Sequence, residues 1–181
     1  MSGPARRFRM GALVVVAVLG GGCSGGGAAP DVAAIVEGTE IPAAETEALL
    51  DGHLKAESAQ ADSDGHGLDE DRKQTLTHFV LLYQIKHALL RHLAAGMDIA
   101  VESSGNLSPE AEAGRLSQAI AQRLFPEVEA PEGEPADKAA ELADQRRQSL
   151  FQDWFDKQLR TARIRVDKRF GRWDAGRGVV Q

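Results

Sequence analysis

The chain lacks most of what enzymes are built from. It has one cysteine, Cys23, in 181 residues, so it can form no internal disulfide. No serine sits in a Gly-x-Ser-x-Gly elbow between a strand and a helix; the match at Gly22–Gly26 falls in the glycine-rich stretch around Cys23. Most glycines fall in the leader, the linkers and the tail, and none make a phosphate-cradling loop. Of the histidines, His78, His87 and His92 share one stretch, but no two are three or four residues apart, so none make a helical ligand pair. His53 and His66 lie elsewhere. Acidic pairs such as Glu127 and Glu129 stand in a proline-rich stretch and read as solvated charge. We therefore expect no catalytic residue, no cofactor and no metal site, and a protein that is not an enzyme. Positive charge is also short: the net charge is −6 and more negative still without Arg6, Arg7 and Arg9 near the start. Nucleic-acid affinity comes largely from neutralising phosphates, so a nucleic-acid partner is not expected.

No apolar run is long enough to span a bilayer. The longest, Met10–Leu19, is well short of the roughly 20 residues required. It follows basic Arg6, Arg7 and Arg9 and precedes Gly20–Gly22 and Cys23, the pattern of a bacterial secretion signal. It resembles a lipoprotein signal, in which a cysteine after small residues is acylated and becomes the new N-terminus. Gly20 stands where an aliphatic residue is usual, with Leu19 one position further out. The resemblance implies a signal peptide over 1–22, a lipid on Cys23 and a flexible tether over 23–30. It also implies a mature protein on the extracytoplasmic face of the cell membrane, with the membrane as partner through the anchor.

The stretch Leu76–Ala95 is the most apolar part of the remaining chain. At about 100° per residue, Leu76, Phe79, Val80, Tyr83, Leu90 and Ala94 form one helical stripe. Leu81, Leu82, Ile85, Leu89 and Leu93 form a second beside it. Only Lys73, Thr77, Gln84 and Arg91 are left for a polar side. A helix apolar over that much of its surface must be wrapped by other segments or offer a face to a partner. Asp69–Asp71 suit its start and Gly96 its C′ position. His87 falls on the apolar stripe and needs a polar partner, as does Arg147 further on.

Around this helix the order is strand, helix, helix, helix, strand. Asp31–Val36 is rich in β-branched residues, Glu37-Gly38 turns it, and Thr39–Ile41 continues as a hairpin arm. Pro42 suits the first position of a helix with Ala44, Ala48, Leu49 and Leu54 as its apolar stripe. Ser58–Gly67 reads as a mobile polar loop. Ser108 caps and Pro109 begins a helix whose narrow face is Ala113, Leu116, Ile120 and Leu124. Residues 125–136 are acidic and hold Pro126, Pro131 and Pro135, so they read as a linker. A long helix then runs from Ala136 to about Thr161, with alanines early and Leu150, Phe151, Trp154 and Phe155 late. Arg163–Val166 alternates as a strand does, and its only available partners lie near the start of the chain. The expected fold is mainly α, with a small sheet pairing N- and C-terminal strands in one domain over 31–174. Phe170 and Trp173 would dock on the body, and 175–181 would be a flexible tail.

This order resembles the N-terminal module of SurA/PrsA-type chaperones. The resemblance is carried by VAAIVEGTEIPAAETEALL (Val32–Leu50), LTHFVLLYQIKHALLRHLAAGMDIAV (Leu76–Val101) and FQDWFDKQLRTARIRV (Phe151–Val166). The closing RFGRWD (Arg169–Asp174) is similar to the ending of actinobacterial lipoproteins that carry this module. Relatives place a parvulin prolyl isomerase before the final helix; here only the acidic linker stands there, so isomerase activity is not implied. The resemblance implies a holdase-like chaperone that binds apolar segments of unfolded or partly folded secreted proteins. The aromatics Phe151, Trp154 and Phe155 either line a client groove or seal the core. The reading from a different class is a structural or adaptor lipoprotein that binds one folded envelope partner.

Overall fold

The computed structural model describes residues 31–64, 69–100, 108–129 and 135–181. The leader 1–22 and Cys23 with its tether lie outside the described residues. The fold is mainly α with a small antiparallel sheet. In order, the elements are β1 (Val32–Val36), β2 (Thr39–Pro42), α1 (Ala43–Asp64), α2 (Glu70–Gly96), α3 (Pro109–Leu124), α4 (Ala136–Thr161), β3 (Ile164–Val166), β4 (Trp173–Asp174) and β5 (Val179–Val180). Among them, no helix is long and apolar enough to cross a membrane.

The sheet has the order β2-β1-β3, so the strand that follows the last helix returns to pair with the first one, as expected. Ala34, Ile35 and Val36 face Val166, Arg165 and Ile164 in antiparallel register. A bulge between Val32 and Ala34 breaks strict alternation, and Ala33 and Ala34 are both buried. Glu37 and Gly38 turn the hairpin with φ of 49° and 87°. That is the positive-φ pair a type I′ turn needs, and it is costly for glutamate. Contacts to the returning chain offset the cost. The Glu37 N–H donates to the Arg163 carbonyl at 3.0 Å, and the Arg163 N–H donates to the Glu37 carboxylate at 2.8 Å.

Helix α2 is the centre, and α1, α3 and the sheet pack around it. Asp69 caps it, its carboxylate accepting from the Arg72 N–H at 2.8 Å. Its C-terminus departs from expectation. Gly96 remains helical, and Asp98 takes the left-handed position with φ of 55°. The Asp98 N–H donates to the Ala95 carbonyl and the Ile99 N–H to the Ala94 carbonyl, which closes a Schellman turn.

Helix α1 also differs. It runs on through Asp64, because Ala56–Asp64 contains neither proline nor glycine and has several good helix formers. Of the expected stripe Ala44, Ala48, Leu49 and Leu54, only Leu54 lies on its buried side. Ala43 and Thr46 are fully buried, Leu50, Leu54 and Glu57 are half-buried, and Ala44, Ala48 and Leu49 are exposed. Alanine contributes too little burial to fix the rotation of a helix. Polar contacts decide it instead: Thr46 bonds Gln84, and Glu57 accepts two bonds of 2.8 Å from Arg72.

Helix α3 starts as expected, with the Ser108 hydroxyl accepting from the Ala111 N–H. It buries Leu116, Ile120 and Ala121. Helix α4 buries Phe151, Phe155 and Leu159. Residues 175–181, expected as a flexible tail, instead form a turn and strand β5, which pairs with β4. Val180 is buried against the core, and apolar burial is what orders this segment.

Candidate functional site

The three aromatics of α4 part company. Phe151 and Phe155 stack with centroids 5.7 Å apart and are 1% and 5% exposed. They belong to the core cluster with Leu81, Ile85 and Leu89 of α2. Trp154 tilts against Phe151 at 6.0 Å and keeps part of its surface in solvent. A client therefore meets Trp154 on this face, with Leu150, one turn before it, also exposed.

The most exposed large apolar side chain among the described residues lies elsewhere. Phe79 on α2 is 59% exposed, although the periodicity places it on an apolar stripe. His53 of α1 meets its ring edge-on at 6.3 Å. Leu49, one turn before His53 on the same face of α1, is exposed as well. His53 and Phe79 thus meet, with exposed Leu49 one turn along α1, at the root of a two-helix arm. The arm is the distal half of α1 and the first turns of α2; most of His53–Ala59 and all of Asp69–Thr75 are exposed, and Glu57 and Arg72 clasp the two helices. Arg72 is the first cause of a lowered Glu57 pKa.

On another flank, a cleft of about 520 Å3 opens between β2, the start of α1 and the second half of α2. Glu40 and Glu45 stand on one wall, and His87, Arg91 and His92 on the other. His87 packs against α3: its Nε2 lies 3.4 Å from Oε2 of Glu112 but makes no hydrogen bond among the described residues. Arg91 approaches the other oxygen of Glu112 at 3.6 Å. Tyr83 stacks on His87, and burial first, then Glu110 and Glu112, push its hydroxyl pKa up. Arg147 pairs with Asp144 and donates to the Phe125 carbonyl at 3.1 Å. Among the described residues no group of three histidine, cysteine, aspartate or glutamate side chains is placed to hold a metal.

Sequence reasoning missed the buried pair Thr46 and Gln84. The Thr46 hydroxyl donates to Gln84 Oε1 at 2.7 Å; the residues are 0% and 7% exposed. Periodicity assigns Gln84 to the polar side of α2, and nothing in the sequence says that α1 covers that side. Compared with protein-family models, curated proteins and solved structures, the chain gives no match.

Proposed function

We propose that this protein is a membrane-tethered, holdase-like chaperone of the cell envelope, without prolyl isomerase activity. The observation that carries the reading is exposed Phe79, met by His53 with exposed Leu49 one turn along α1, at the root of the α1–α2 arm. Apolar surface of this kind gains free energy by burial without regard to sequence, as capture of unfolded segments requires. The element order supports the same reading, because it follows the SurA/PrsA-type module that the sequence resembles. Between α3 and α4 stand only residues 125–135, far too few for a catalytic domain. The acidic balance of the chain keeps a client complex soluble. The Cys23 lipid would hold the protein at the extracytoplasmic face, where secreted chains emerge.

The test is aggregation of two unrelated unfolded proteins at a few-fold molar excess of Ser24–Gln181, without nucleotide. Both aggregations should slow, and Phe79→Ala should weaken the effect several-fold while the circular dichroism stays unchanged. No slowing of either client would end the holdase reading. The adaptor reading would then stand, since the two-signed walls of the 520 Å3 cleft suit one folded partner better than many unfolded ones.

A further inference from the structure

Strands β4 and β5 pair only with each other, in a sheet separate from the main one. The Arg172 N–H donates to the Gln181 carbonyl and the Gln181 N–H donates back, each at 2.9 Å. The Gly178 N–H donates to the Asp174 carbonyl at 2.8 Å. The Asp174 carboxylate accepts from the Arg177 N–H and the Gln181 side-chain amide and pairs with the Arg177 guanidinium. Among the described residues, every hydrogen bond and ion pair of residues 171–181 stays inside the hairpin.

What holds the hairpin to the body is apolar contact. Val180 is buried in the core cluster, Trp173 packs on that cluster, and Gly178 lies against the Leu159 side chain of α4. Gly171 sits so close to α2 that a Cβ there would stand 3.0 Å from His78 Nε2. Docking also leaves the Trp173 indole N–H buried without a partner. Undocking would return it to water. A segment whose hydrogen bonds stay within itself, attached by apolar contact and carrying an unpaired donor, is held as a ligand is held.

We infer that this hairpin is a displaceable internal occupant of an apolar groove between α2 and the last turns of α4. The external occupant that replaces it is an extended segment of an unfolded client, rich in aliphatic and aromatic residues as the hairpin's own contact residues are. The inference rests on the chaperone reading and adds a second, self-covered contact to the open patch at Phe79. Covering the groove keeps it from self-association when no client is present.

Hydrogen exchange on the unaltered chain tests this, with a carboxymethylated, permanently unfolded protein as probe. The amides of Arg172, Gly178 and Gln181 should exchange about tenfold faster when the probe is bound, as expected if binding frees a hairpin otherwise docked in about nine molecules of ten. Val180→Asp should undock the hairpin and bind the probe about tenfold more tightly. Probe binding with hairpin protection unchanged would overturn the inference and leave the chaperone reading intact. No probe binding by either protein, with the Val180→Asp hairpin freed and its helices intact, would overturn both. If Val180→Asp does not fold, the exchange measurement on the unaltered chain decides.

Discussion

Thr46 has one hydroxyl proton and two acceptors in reach, the Pro42 carbonyl at 3.2 Å and Gln84 Oε1 at 2.7 Å. It can satisfy only one at a time, and Gln84 Nε2 has no partner among the described residues. A half-satisfied buried pair orients α1 on α2 while adding little net stability. Removing one partner should therefore be worse than removing both. We expect Thr46→Val alone to destabilise the fold by about 1–3 kcal/mol in urea unfolding. Combined with Gln84→Met it should fall within about 0.5 kcal/mol of the parent, and strictly additive losses would show that the pair is a plain stabiliser. The burial of this pair was not legible in the sequence. Threonine and glutamine carry no signal of the neighbour that covers them, whereas Leu116 and Ile120, with a strong apolar period, were placed correctly from sequence alone.

At the scale of elements, capping and periodicity were read well where a side chain commits the backbone. Asp69 and Ser108 cap α2 and α3 through bonds to their own first turns. They act within a few residues, so the sequence shows them. The sheet clamp spans the whole chain instead. The Arg163 N–H, and then its guanidinium, hold the Glu37 carboxyl below the usual range. The Arg169 N–H, followed by its side chain, does the same for Asp167, whose own N–H donates to the Ala33 carbonyl of β1. Lowered folded-state values mean that this stability is fully present above the ordinary carboxylate pKa, about 4. It is lost as the pH falls through that value toward the folded ones. The melting temperature should therefore fall below pH about 4, and Glu37→Gln with Asp167→Asn should flatten that fall. An unchanged slope in the double variant would place the acid sensitivity elsewhere.

Over the whole molecule, the first strand is held by β3 from the far end of α4, and α2 shares one core cluster with Phe151 and Phe155 of α4. No helix has a private core, so unfolding should be a single cooperative event. Far-UV circular dichroism and Trp154 fluorescence, read in a Trp173→Phe background, should give one coincident thermal transition. A separate earlier loss of the Trp154 signal would show α4 folding as its own unit. The sequence by itself determined the element order from β1 to β3, the central position of α2, its start near Asp69, the Ser108 cap of α3 and the return of β3 to the first strand. Each of these follows from apolar period or local hydrogen-bonding chemistry carried by neighbouring residues. Only the tertiary structure decided which apolar residues are covered. It put Phe151 and Phe155 inside, left Phe79 outside, turned α1 by Thr46 and Glu57 rather than by alanines, and docked the final hairpin through Val180. Exposure depends on what the rest of the chain brings to a given side of a helix, and one helix's periodicity carries no record of that.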